Sequence, residues 1–241
     1  TLIHNMNVFG INPQDIDMIV ITHCHYDHTQ GIADLLSKIG KKNVPVIGHP
    51  LNFRLNFRTE PYLDYAGVAS EDHPMNIAAN GGRLFLTKDP LQLMPGLTTT
   101  GEIPRITPFE DPGISTYTIL NGCIEEDNIP DDISVIANIK NCGIVVITGC
   151  SHAGIINILH RTIDMFPKQP LYGIIGGFHL ISASDERIQK TVKEFDNLNL
   201  KLLSAGHCTG FKAQVAFANK FQSRFKPLTC GLEFIFPINA S

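Results

Sequence analysis

Apolar and polar positions follow two periods along this chain. Short unbroken runs of β-branched and aliphatic residues mark buried strands at Asp17–Thr22, Val44–Gly48, Ile133–Ile139, Gly143–Thr148, Leu171–Ile175 and Leu200–Ser204. Between them, apolar residues recur at three- and four-residue spacing. That period predicts helices from about Gly31 to Ile39, closed by Gly40, then up to about Phe166, from Ser184 to Leu198, and up to about Phe221. A terminal strand is expected at Leu228–Phe236. From Leu51 to Asp132 the periodicity weakens around many Pro and Gly residues. That stretch predicts loops and short antiparallel strands, with one strand at Arg83–Thr87 after Gly81-Gly82. Strands alternating with helices give an α/β class, and 241 residues are enough for one domain spanning 1–241.

The strand ends carry the chemistry. In open α/β sheets ligands bind beyond the carboxyl ends of the strands. Here four such ends run into turns that hold six of the ten histidines. The first turn is Thr22-His23-Cys24-His25-Tyr26-Asp27-His28, an H-x-H-x-D-H pattern. It arises by accident in roughly one chain of this length in a thousand. In extended backbone His23, His25 and Asp27 share one side, while His28 steps off that row as a helix begins. Three imidazoles and a carboxylate on one turn resist burial without a ligand. Such a donor set suits Zn²⁺, Mn²⁺ or Fe²⁺. The later turns are Gly149-Cys150-Ser151-His152, Gly176-Gly177-Phe178-His179 and Gly206-His207-Cys208-Thr209-Gly210. None of them forms G-x-G-x-x-G, so no dinucleotide site is expected.

Composition narrows the function classes. Lys and Arg total 19 against 23 Asp and Glu, a net charge of −4 with no basic run, which excludes a nucleic-acid binder. Charged residues are 17% of the chain, against about 25% in an average soluble domain, so a well-buried globule is expected. No apolar run reaches ~18 residues, and Thr1–Asn7 lacks the basic and apolar regions of a signal peptide. No membrane association is therefore expected. The six cysteines have long spacings and no C-x-x-C pair, which reads as reduced thiols in a cytoplasmic protein.

Weaker features carry two readings each. His49 lines the pocket or is a partly exposed loop residue beside Pro50. Arg54 and Arg58, spaced i, i+4, share a helix face that grips an anion or stands in water. Cys208 is a nucleophile only with a base and an electropositive site; beside His207 the small packed residue is the simpler reading.

Thr22–Gly31, T-H-C-H-Y-D-H-T-Q-G, resembles the signature loop of the metallo-β-lactamase fold. With Gly149–Gly154 (G-C-S-H-A-G), Gly176–Leu180 (G-G-F-H-L), Gly206–Gly210 (G-H-C-T-G) and Thr99–Arg105 (T-T-G-E-I-P-R), the likeness narrows. It resembles the subgroup of metal-dependent hydrolases related to the dihydropterin–ribofuranosylaminobenzene phosphate synthase of methanopterin biosynthesis. The resemblance covers nearly the whole chain and implies a four-layer αβ/βα sandwich, N-terminally incomplete because the first strands of the fold precede the metal loop.

It implies two divalent metal ions, zinc first, with manganese or iron as alternatives. His23, His25 and His152 would hold one, and Asp27, His28 and His207 the other. The aspartate that bridges the metals in many members falls near Cys150, itself a possible ligand for a soft metal. His179 is a ligand or a general acid that protonates the leaving oxygen, so Asp27 and His179 are the catalytic candidates. Arg105 is an anion-binding candidate and Glu102 a carboxylate near the site or a simple turn residue. The implied activity is water activation by the binuclear centre against a phosphoester or ester of a small, phosphorylated molecule. Two alternatives stand beside it: transfer of a dihydropterin methyl carbon with departure of diphosphate, and a non-catalytic metal-binding protein.

Overall fold

The computed structural model describes residues 1–236, which fold as two compact units. Unit 1 is Thr1–Lys88 with Ser115–Asp131, and unit 2 is Asp89–Ile114 with the rest from Asp132. The chain begins with α1 (Leu2–Val8), β1 (Ile19–Val20), α2 (Tyr26–Thr29), α3 (Ile32–Ile39) and β2 (Val44–Gly48). Then come β3 (Phe57–Arg58), β4 (Asp64–Tyr65), α4 (Pro74–Ala79) and β5 (Gly82–Leu86). The pair β6 (Gln92–Met94) and β7 (Leu97–Thr99) belongs to unit 2, and β8 (Tyr117–Leu120) with β9 (Cys123–Glu126) returns to unit 1. Unit 2 continues as β10 (Val135–Ile139), β11 (Gly143–Ile147), α5 (Ile155–Met165), β12 (Leu171–Gly177), α6 (Asp185–Asn197), β13 (Leu202–Gly206), α7 (Phe211–Phe221) and β14 (Phe225–Pro227).

In unit 1, β1, β2 and β5 form a parallel sheet, and β4-β3-β8-β9 a separate antiparallel one. Helix α3 buries Ile32, Leu35, Leu36 and Ile39, the i, i+3, i+4, i+7 stripe visible in the sequence. That stripe packs with Val44, Val46, Ile21 and Ile77. Gly40 at φ +67 closes the helix as expected. The strand expected at Arg83–Thr87 exists as β5, but it pairs parallel to β2 in the register Val44↔Gly82. The expectation of antiparallel strands throughout 51–132 is therefore corrected. The long connection through α4 brings the chain back in the same direction, as a crossover must.

In unit 2 the described residues form a seven-stranded sheet ordered β14-β13-β12-β11-β10-β7-β6, parallel from β11 to β14 and antiparallel beyond. Helices α5, α6 and α7 cover it with Ile155, Ile158, Leu159, Ile188, Val192, Phe195, Ala213 and Phe217. The carboxyl ends of β11, β12 and β13 lie side by side and all run into histidine-bearing turns. The terminal strand is displaced from its expected position to β14, and Leu228–Phe236 are not strand. Phe225 is buried against Phe217, ring centroids 6.0 Å apart, and Pro227, which has no N–H to donate, is the last residue of this edge strand. Among the described residues no helix is long and apolar enough to cross a membrane.

Candidate metal centre

In unit 1 the loop after β1 buries two histidines completely or nearly so: His23 at 0% exposure and His25 at 7%. His23 Nε2 and His25 Nδ1 lie 3.2 Å apart. Two imidazole nitrogens at that distance share either a proton or a cation. Ligands on one tetrahedral zinc, at 2.0–2.1 Å from it, stand about 3.3 Å apart. The extended row expected for His23, His25 and Asp27 stops at His25, because α2 starts at the next residue. The helical turn swings His28 back against His23, ring centroids 4.3 Å apart, and leaves Asp27 exposed with Oδ2 3.4 Å from His28 Nε2. Asp27 and Tyr26 line a cavity of about 660 Å³.

The loop leads into α3, whose N-cap is Gly31 at φ +97 and has no capping side chain. Asp72 supplies the cap from forty residues away. Its two carboxylate oxygens accept from Gly31 N and Ala33 N, each at 2.8 Å.

At the end of β2, His49 is fully buried, so the partly exposed loop reading fails. Its Nδ1 accepts from Leu51 N at 3.1 Å, and its own N–H donates to Asn52 Oδ1 at 2.6 Å. Arg54 and Arg58 do not share a helix face: Arg58 is in β3, and Arg54 is neither solvated nor placed for an outside anion. The Arg54 fork holds Asp127 through Nε and Nη2, at 2.6 and 2.8 Å, and Nη1 holds Asp131 at 2.6 Å. Against burial, Arg54 keeps the Asp127 carboxyl below its ordinary range, while burial pushes Asp131 up.

In unit 2, His152 sits in the turn after β11 at 0% exposure. Its Nδ1 is 2.8 Å from the Pro112 carbonyl. A carbonyl only accepts, so Nδ1 carries the proton and a neutral ring presents its lone pair at Nε2, the tautomer metal ligation requires. Arg105 Nη1 donates to the carbonyl of the same His152 at 2.7 Å, bracing that turn. Beside it lies His179, ring centroids 4.2 Å apart, with a buried Nδ1 that has no hydrogen-bond partner among the described residues. Donor atoms of Cys150, His179 and Cys208 lie within 4.8 Å of one another. The pKa of the Cys208 thiol is lowered to about 5 by hydrogen bonding with Cys150, against burial, with His179 and His207 adding to the effect. His207 is exposed and opens the short turn after β13. Ser151, His179 and His207 all have φ between +42° and +64°. Such strained non-glycine residues persist where surrounding contacts over-determine them and gather at functional turns.

Sequence pattern does not single out Glu110. Helix α5 also starts behind a glycine, Gly154 at φ +96, and Glu110 caps it: Oε1 accepts from Ile156 N and Oε2 from Asn157 N, both at 2.9 Å. A Cβ on Gly154 would lie 2.2 Å from Glu110 Oε2, so only glycine admits the cap. The signal available in sequence is negative: Gly31 and Gly154 open helices with no Ser, Thr, Asp or Asn in place. Burial pushes the Glu110 carboxyl up to about 7, against the lowering pull of the α5 amides and Arg187. The folded state thus binds a proton more readily than the unfolded one between the two pKa values. The Glu110 contribution to stability is full below about pH 4.5 and is lost as pH rises through about 7. In urea titrations, wild type should lose stability relative to Glu110→Gln over that window, at up to about 1.4 kcal/mol per pH unit. A pH-independent difference would contradict this.

The chain has counterparts among known proteins. Residues 4–93 match the Beta-lactamase superfamily domain. Over 233 residues the chain is 39% identical to the 7,8-dihydropterin-6-methyl-4-(β-D-ribofuranosyl)-aminobenzene-5'-phosphate synthase of Methanocaldococcus jannaschii, covering 95% of this chain and 79% of the synthase. It is 30% identical over 217 residues to the uncharacterized protein MJ0448 of the same organism, covering 88% and 76%. The crystal structure of Tm1679, a metal-dependent hydrolase of the β-lactamase superfamily, matches with a TM-score of 0.82 at 26% identity, covering 98% of this chain and 84% of that one. The chain belongs to the metallo-β-lactamase superfamily of metal-dependent enzymes, in the family of the Methanocaldococcus jannaschii synthase.

Proposed function

We propose that the chain is a metal-dependent transferase that joins a dihydropterin methyl diphosphate to an arylamine bearing a ribofuranosyl phosphate. In this reading the chain holds a binuclear centre. His23, His25 and His152 hold one cation, and Asp27, His28 and His207 the other. Zinc is the first metal to test, with manganese and iron as alternatives, since imidazole and carboxylate donors suit all three. The observation that carries the reading is the pair of His23 and His25 nitrogens 3.2 Å apart, in a chain 39% identical over 95% of its length to a synthase.

Bound divalent cations supply positive charge where a leaving diphosphate, or the oxyanion of an attacked ester, gathers negative charge. The protein's own groups do the rest. His152 is held in one tautomer by the Pro112 carbonyl, so its lone pair is aimed before any ligand arrives. His179, with its buried Nδ1, protonates the leaving oxygen. Asp27 supplies the exposed carboxylate on the loop, and Arg105 the guanidinium nearest the His152 turn.

Hydrolysis of a phosphoester is the second reading, favoured by the likeness to the hydrolase Tm1679; the same ligands would serve both reactions. The test is diphosphate release from the pterin diphosphate by zinc-, manganese- or iron-loaded protein, with and without the arylamine. Release only with the arylamine, accompanied by the coupled product mass, is expected. Equal release without it makes the protein a hydrolase. No turnover with any of the three metals overturns both.

A further inference from the structure

Arg187 lies in the first turn of α6, 35 residues beyond His152 in sequence, and it is only 8% exposed. Its guanidinium grips one residue twice: Nη1 pairs with the Asp111 carboxylate, and Nη2 donates to the Asp111 carbonyl at 3.0 Å. The same Asp111 Oδ1 accepts from Gly113 N at 2.8 Å, which closes a tight turn around Pro112. Ser182 Oγ donates to the Gly113 carbonyl at 3.1 Å. The peptides on both sides of Pro112 are thereby fixed, and the Pro112 carbonyl receives His152 Nδ1. Gly113 also lies flat against His179. A Cβ there would stand 2.5 Å from His179 Cδ2, and its φ of +74 suits glycine.

What makes Arg187 decisive is what lies on the other side of this strap. Asp111 and Gly113 border a cavity of about 410 Å³ that Arg187 and Lys190 also line. Close-packed side chains resist displacement, but a segment facing a cavity has room to move. On that side polar bonds, not packing, keep the strap in place.

We propose that Arg187 is a positioning residue: through Asp111 it locks the Pro112 carbonyl that sets the tautomer and direction of His152. This rests on the metal-ligand reading of His152. Partners that hold a ligating imidazole in this way are worth 10–100-fold in metal affinity. Arginine is required because one planar fork reaches both the carboxylate and the carbonyl; lysine offers a single ammonium.

The test uses the full chain without metal and then with Zn²⁺ alone. Long-range ¹H–¹⁵N spectra of the metal-free protein report the His152 tautomer, and competition against a chelator of known affinity reports Zn²⁺ binding. In Arg187→Met, the Nδ1–H form should give way to a mixture and Zn²⁺ affinity should fall 10–100-fold, with Arg187→Lys intermediate. Asp111→Asn carries the same test if Arg187→Met does not fold. A folded variant that keeps the wild-type tautomer and the wild-type Zn²⁺ affinity overturns the proposal. If His152→Ala leaves wild-type Zn²⁺ affinity unchanged, the ligand reading itself fails. The tautomer then decides positioning alone: scrambled supports it and retained overturns it.

Discussion

His23→Ala should abolish the stabilisation that divalent metal gives this protein and lower turnover by at least about a thousand-fold, of the size seen when a group central to catalysis is removed. His23 is fully buried, its Nε2 is 3.2 Å from His25 Nδ1, and its ring lies against His28. One side chain thus touches both other histidines of the motif. A ligand that binds only the folded state stabilises it by about 2.7 kcal/mol at a hundredfold excess over Kd. Wild type should therefore melt later when Zn²⁺ is added, and the variant should not. Metal-free His23→Ala should melt below metal-free wild type, because it loses the His23–His25 hydrogen bond and leaves a cavity, so the readout is the metal-induced shift of each protein. A variant that keeps the full metal-induced shift would show that the buried cluster is a hydrogen-bonded one with no ligand.

The histidines of the candidate centre were legible in the sequence because a ligand set, if it is to bind metal, confines residue type and spacing to a short turn. H-x-H-x-D-H sits within six residues, and each later histidine follows a strand and a glycine, so local pattern alone reveals them. Their fine arrangement was not legible. The onset of α2 at Tyr26 turns Asp27 outward and His28 inward, an outcome set by where one helix starts, and such boundaries are poorly encoded locally. The residues that hold the turns lay further out of reach. Asp72, Glu110 and Asp111 act on partners about forty or more positions away. Each looks from sequence like an ordinary loop acid.

The fold divides in the same way. Helix α3 and strand β2 fall where periodicity puts them, since one buried face of local residues decides both. In contrast, β14 moved toward the chain start because Phe225 found a place among Phe217 and its neighbours, a tertiary preference invisible in an apolar stretch that runs on to Phe236. The segment 51–132 resisted reading because its order comes from buried polar groups, and hydrophobic period says nothing about those.

Arg54→Met tests that polar order and should cost about 3–5 kcal/mol at neutral pH, the penalty of breaking a buried pair by removing one partner. Asp127 and Asp131 are 3% and 0% exposed, and Arg54 bonds to both. Asn56 and Asn52 donate to these carboxylates at 2.8 and 2.9 Å, but neutral amides do not offset two buried negative charges. Arg54→Lys should recover only part of the loss, since one ammonium cannot span both carboxylates. The pH dependence gives the sharper check. Without Arg54, burial raises both folded-state carboxyl pKa values above the unfolded value near 3.9. The variant therefore binds protons on folding, and its deficit should shrink steadily as pH falls from 8 toward 5. Urea midpoints of wild type and variant at several pH values measure this directly. A deficit that stays below about 1 kcal/mol at pH 8 would mean the pair is screened as a surface ion pair is. The consequence reaches the candidate site. Asn52 spans from Asp131 to the His49 amide, so a loosened Arg54 network frees the turn at the end of β2, which pairs directly with the strand that feeds His23.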